Sequence, residues 1–231
     1  MSMSTINIIS TLTTSPGSLT GTFENQIFEL LTHSESFKPK AYVGKTNGFL
    51  NIGYGYDINK QIDYFISDFA YVANLKLSNT VIQTQYLQSD YNSVNSEPPS
   101  AIVGAFHAHY TLSPGVDGSA WQLSLLALNQ LLPTTGLYGL GAPAPVVYDS
   151  NLFIIAPSYQ LVALEDMAYN GNNSLVGPQT KLIHDLKEAT LASSTSDWIN
   201  AWTSRDEAWY EIAFNSDSGN PPGDQLGLEL R

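Results

Sequence analysis

Apolar side chains fall at helical spacing from Thr22 onward. Phe23, Ile27, Leu30 and Leu31 share one face while Glu24 and Glu29 lie on others, which predicts a short amphipathic helix. The helix is expected to end near Glu35, because Pro39 disfavours helical backbone at Lys38. Residues 41–58 alternate instead, with Gly44, Gly48, Gly53 and Gly55 set among Tyr42, Phe49, Tyr54 and Tyr56. This pattern predicts a β-hairpin or a three-stranded sheet, with Lys45-Thr46-Asn47-Gly48 as a turn. Helical patterning resumes from Lys60 to about Leu87, where Ile62, Phe65, Ile66 and Phe69 line one face. Ser89 to Ser100 is polar, carries Pro98 and Pro99, and reads as a loop.

The segment Ser119 to Leu132 (SAWQLSLLALNQLL) is apolar nearly all round, as expected of a helix buried in the centre of a lobe. Pro133 ends it. Residues 134–156 read as an excursion from a helical lobe, with a short β-like run at Leu152 to Ile155. Further helices are expected at 158–170, 178–191, 197–203 and 205–215. Residues 1–20, rich in Ser and Thr and broken by Pro16 and Gly17, read as a flexible tail, as do residues 217–231. The organisation expected is one α+β domain over residues 21–216, with an extra segment at about 89–150.

Composition narrows the function classes. A chain of 231 residues is long enough to bury a substantial core. It contains no cysteine, which rules out a disulfide scaffold, a Cys-based zinc site and a thiol nucleophile, and leaves the redox compartment open. The formal net charge is −12, so nucleic acid and anionic lipid should repel the protein. An anionic cell-wall polymer would not steer it by net charge either. The N-terminus has no basic region and no uninterrupted apolar core, so no Sec signal is expected. No run of about eighteen apolar residues predicts a membrane span.

The candidate chemistry lies between Glu35 and Asp57 (ESFKPKAYVGKTNGFLNIGYGYD). One acid sits at a helix end and the second follows a glycine-rich, aromatic β segment. Two carboxyl groups on separate elements around a cleft are what glycosidic cleavage requires. One donates a proton to the leaving oxygen, and the other activates water or stabilises the cationic sugar. Asp57 is also placed to cap a helix beginning near Ile58. The glycines suit close approach of a sugar chain, and Tyr54 or Tyr56 offers a flat face for packing.

These residues resemble the catalytic stretch of phage-type lysozymes, and more closely the pesticin-like branch of bacteriolytic muramidases. That pattern carries a Glu at the end of the first long helix, a Tyr several residues later, and a β segment T-I-G-[YF]-G-[YF]-D. The chain supplies Glu35, Tyr42 and Asn51-Ile52-Gly53-Tyr54-Gly55-Tyr56-Asp57. By this resemblance Glu35 is the general acid and Asp57 the second carboxylate, with Asn51 standing where a water-positioning Thr is usual. The position at which ordinary phage lysozymes carry their catalytic Asp falls around Gly44, and its absence is a feature of the pesticin-like branch. Leu161 to Gly171 (LVALEDMAYNG) resembles the central helix of these enzymes, bringing Tyr169 and Asn170 to the substrate side. Ser204 to Tyr210 resembles their late Arg-rich helix.

The resemblance implies an α+β, lysozyme-like fold with a cleft between a small β lobe and a mainly helical lobe. It also implies hydrolysis of the β-1,4 bond between N-acetylmuramic acid and N-acetylglucosamine, with peptidoglycan strands as substrate and no cofactor. Tyr42, Gly53, Tyr54, Tyr56, Tyr169 and Asn170 would contact the glycan. Two settings fit a protein made in the cytoplasm and acting in the periplasm or wall of a target bacterium. One is a phage endolysin; the other is an injected toxin, which would need delivery machinery and an immunity protein as partners. A wall-binding module of lysozyme fold with weak turnover is the alternative, and an enzyme for another amino-sugar polymer such as chitin a third.

The remaining polar groups read as structural. His107 and His109 lie two apart and share a face only in a strand, so a metal pair is not expected. Glu165 and Asp166 are adjacent on a helix and point in different directions, so at least one is expected to be solvated or structural. Asp197 and Asp206 suit helix N-termini, and Trp198, Trp202 and Trp209 suit a core.

Overall fold

The computed structural model describes residues 23–45, 47–74, 80–131, 146–148, 153–155, 159–171, 176–177, 179–194, 197, 199–200 and 203–204. Among these residues seven helices combine with small antiparallel sheets, an α+β architecture. Described residues up to Ala127 belong to one compact unit and those from Leu128 onward to another. The expected tails, the Arg205–Asn215 helix and the three tryptophans at 198, 202 and 209 lie outside the described residues.

The first helix, α1 (Phe23–Ser34), forms where apolar spacing predicts it. It buries Ile27 and Leu31 completely, and Glu35 N–H closes its last turn on Leu31 O at 2.8 Å. The chain then enters an antiparallel sheet of order β1-β2-β3, with β1 at Lys38–Val43, β2 at Leu50–Gly53 and β3 at Tyr56–Asp57. The β1–β2 turn is held by Gly48 N–H on Gly44 O at 2.9 Å and by Phe49 N–H on Asn47 Oδ1 at 3.0 Å. Between its Lys38–Gly53 and Tyr42–Asn51 pairs β1 carries an irregularity, a bulge of the kind that re-aims side chains. Leu50 and Ile52 face the core with no exposure.

Downstream, the helix expected over 60–87 is divided. Residues 58–64 form turns, and α2 (Phe65–Asn74) buries Phe65, Asp68, Phe69 and Val72, while Ile66 is exposed. Strand β4 (Val81–Ile82) and a 3₁₀ turn follow. The polar stretch expected to be a loop is instead α3 (Leu87–Ser96), whose Leu87, Asp90 and Val94 are buried at helical spacing. Pro98 and Pro99 open α4 (Pro99–His109) rather than a loop, because proline suits the first turn, where its missing N–H is not needed. Strand β5 (Tyr110–Thr111) pairs with β4. Phe65, Phe69, Phe106 and Tyr110 pack ring against ring with centroids 4.6–6.2 Å apart.

Helix α5 (Ser119–Leu131) is buried nearly all round, as its composition predicts. In the second unit, β6 (Val146–Tyr148) and β7 (Phe153–Ile155) form a hairpin, so the single expected β run has a partner strand. Helices α6 (Tyr159–Gly171) and α7 (Lys181–Ser194) follow. Thr180 Oγ1 accepts Ile183 N–H at 3.4 Å, capping α7. Both Glu165 and Asp166 are buried on α6, the structural rather than the solvated of the two alternatives.

Candidate active site

Three expected residues come together through strand register alone. Tyr42 on β1 pairs with Asn51 on β2, and Asn51 pairs with Asp57 on β3. Directly opposed residues share a face with side chains about 5 Å apart. Tyr42, Asn51 and Asp57 therefore form one row across the sheet.

Glu35 reaches the same region from α1 by a different device. Gly55 has φ +77°, and a Cβ there would come 2.9 Å from Glu35 Oε2 and 3.1 Å from its Cδ. The Glu35 carboxyl thus packs directly on the Tyr54–Gly55 turn. Its helix is held in place by Phe28, whose ring meets Tyr54 edge-on at 5.7 Å and Trp121 at 5.1 Å. Edge-to-face pairs of this kind each contribute about 1 kcal/mol beyond burial. Gly55→Ala should lower stability by about 1–2 kcal/mol, the cost of a left-handed conformation for a residue with a Cβ, and push the Glu35 carboxyl off the turn. A melting temperature equal to the parent's would contradict this packing.

Both carboxylates act on Tyr42. Burial, then the Glu35 charge, then the Asp57 charge raise its phenol above the ordinary tyrosine value. It therefore stays a neutral hydroxyl, able to donate, at physiological pH. Burial likewise raises Asp57 above the usual carboxylate range, against the lowering effects of Lys60 and Asn59. Asp57 Oδ1 accepts Lys60 N–H at 3.0 Å, the capping use that the sequence suggests, in a turn here rather than a regular helix. Oδ2 is buried and has no hydrogen-bond partner among the described residues. An unpaired buried carboxylate oxygen is costly, so a hydroxyl that donated to it would be held firmly there.

Asn51 is 6% exposed, and its Nδ2 donates to Phe49 O at 2.7 Å. It also explains the side-chainless position at 44. A Cβ on Gly44 would press on Asn47 Oδ1 and come 2.9 Å from Asn51 Nδ2, so the Asn51 amide occupies the space that an acid at 44 would use.

Three expectations for glycan contacts need correction. Tyr54 is 5% exposed, with its hydroxyl accepting Gly115 N–H at 3.1 Å. Tyr56 is fully buried, and its hydroxyl donates to Asp68 Oδ2 at 2.7 Å. Neither ring offers a face to a sugar. Gly53 is buried as well, and a Cβ there would meet Ala120 and Leu112 at 3.1 and 3.2 Å, so its small size serves packing of the sheet on α5. The exposed aromatic beside the row is Phe49 at 39%, which the alternation pattern contained but did not single out. Tyr169 and Asn170 belong to α6 in the other unit.

Tyr56→Phe should cost about 1.5–3 kcal/mol, the range for a hydrogen bond to a charged group, while leaving the row on the opposite side of the strand in place. Unchanged stability in a denaturant titration would show that the Asp68 bond contributes nothing.

The two histidines take separate structural roles. His107 Nε2 donates to Ala41 O at 2.6 Å, since a carbonyl only accepts. His109 Nδ1 pairs with buried Asp90 at 2.7 Å and stacks on Tyr86 with centroids 3.7 Å apart. No group of three or more metal-ligating side chains occurs among the described residues, and no helix there is long and apolar enough to cross a membrane. No protein-family model, curated protein or solved structure matches the chain.

Proposed function

We propose that the protein is a lysozyme-type N-acetylmuramidase that cleaves the β-1,4 bond between N-acetylmuramic acid and N-acetylglucosamine. The observation that carries this reading is the convergence of two carboxyls from different elements on Tyr42. Glu35 arrives from a helix end and Asp57 from strand β3, two residues past the Gly55 on which Glu35 rests. Glu35 protonates the bridging oxygen. Asp57, through Oδ2, takes the proton of an attacking water or stabilises the oxocarbenium-like transition state. Its raised pKa makes it a stronger base than an exposed carboxylate. Asn51 orients the water, and Phe49 supplies the apolar face that Tyr54 and Tyr56 cannot. The lysozyme-like fold is part of the same proposal, as is its use as a bacteriolytic effector or phage endolysin.

One observation favours a second reading, a wall-binding module with weak turnover. One of the two Asn51 amide N–H groups is taken by Phe49 O, which leaves less of the side chain to hold a water. Incubation of purified protein with peptidoglycan, followed by mass spectrometry of the soluble products, separates the two. Fragments ending in reducing N-acetylmuramic acid support the muramidase. Binding to the wall without release supports the module, and release only from chitin makes the substrate another amino-sugar polymer.

A further inference from the structure

Beside the row, strand β1 and helix α4 border an open groove of about 570 Å³. Its walls are β1 from Lys38 to Val43 and, on α4, Ser100, Val103 and His107. The groove shares Tyr42 with the site, so a chain leaving the site over β1 enters it directly. The hydrogen bond from His107 to Ala41 O at 2.6 Å ties the two walls together.

The chemistry of the groove is unlike that of the molecule as a whole. Pro39, Ala41, Val43 and Val103 give it apolar surface, and among the described residues no carboxylate lines it. Lys38 and Lys40 are exposed and form no ion pair among the described residues. Lys38 and Lys40 thus give the groove a positive edge within a chain of net −12. An apolar trough with a cationic rim fits a short peptide that combines small alkyl side chains with free carboxylates.

On the muramidase reading, on which this inference rests, the substrate carries such a peptide. Its alternate sugars bear a lactyl ether extended by a short stem containing alanine and carboxylate groups. We propose that the groove between β1 and α4 is a subsite for this anionic stem peptide. A glycan laid across Tyr42, Asn51 and Asp57 then delivers its stem over the edge of β1, where Lys38 and Lys40 meet the carboxylates and Val43 and Val103 meet the alanine methyls. The enzyme is thereby selective for peptide-bearing glycan over bare amino-sugar polymer, and the local positive charge supplies the attraction that net charge lacks.

The test pairs Lys38→Ala/Lys40→Ala, at exposed positions, with Val103→Glu, at a half-buried one, and compares glycan strands that keep their stems with strands stripped by an amidase. KM on stem-bearing strands should rise about tenfold in either variant, with kcat unchanged and KM on stripped strands moved by less than about twofold. Equal changes on both substrates, or none on either, would overturn the subsite. A labelled synthetic stem peptide gives a separate readout. The parent should bind it at low ionic strength and release it as salt screens the lysines, while the variants should not bind. Absence of parental binding also overturns the subsite. If the parent binds the peptide but cleaves neither strand, the muramidase reading falls and the groove stands.

Discussion

Glu35→Gln is expected to lower kcat on peptidoglycan by about 10³-fold, within the range contributed by a positioned general acid. Glutamine matches glutamate in size, so the contact with the Gly55 turn survives and stability should change by less than about 0.5 kcal/mol. The loss should depend on the leaving group. A sugar oxygen needs the proton that Glu35 supplies, whereas an aryl oxygen of low basicity departs without it. With an activated aryl glycoside the variant should therefore fall within about tenfold of the parent. Equal losses on both substrates would remove Glu35 from the acid role, and full activity on peptidoglycan would remove it from the site.

Asp57→Asn should move activity and stability in opposite directions. Turnover should fall by about 10²–10⁴-fold, as for loss of a catalytic base. Stability at neutral pH should rise. The folded-state pKa of Asp57 lies above the ordinary carboxylate value because burial outweighs the Lys60 and Asn59 contributions. The folded protein therefore binds this proton more tightly than the unfolded chain, and stability falls as pH rises from the ordinary value through the folded one. Ionised Asp57 is destabilising at pH 7. Asparagine still accepts Lys60 N–H through Oδ1, and an unpaired amide in the place of Oδ2 costs less than an unpaired charge. The melting temperature at pH 7 should therefore rise above the parent's. The difference should vanish below about pH 3, where the carboxyl is protonated in both states. A variant less stable than the parent at pH 7 would show that the carboxylate is satisfied in the fold.

The elements that carry the site were legible because each rests on a strong local signal. Helix α1 follows from four apolar residues at helical spacing, and the sheet follows from glycine and aromatic residues in alternation. Helix α3 was not legible because Gln, Asn and Ser fill its outer face, where propensity is weak, and three buried positions decide the matter. Pro98-Pro99 misled for a related reason, since proline both breaks a helix and begins one. At the site, Asn51 and Asp57 were identifiable from their string, but the roles of the tyrosines were not. Strand β3 turns Tyr56 inward, where its hydroxyl meets Asp68, while the turn at Tyr54–Gly55 lays Tyr54 against the part-buried Gly115. The close approach that Gly55 allows was expected for a sugar and belongs to Glu35. The groove was invisible in the sequence because His107 and Val103 meet β1 across some sixty residues of chain.

A crystal structure of the Glu35→Gln protein with a bound peptidoglycan fragment tests the central claim most directly. A glycosidic oxygen should lie within about 2.6–3.2 Å of the residue 35 side chain, with the adjoining sugar against Tyr42, Asn51 and Asp57. A fragment bound elsewhere, or one whose glycosidic oxygens all lie beyond reach of residue 35, would contradict it.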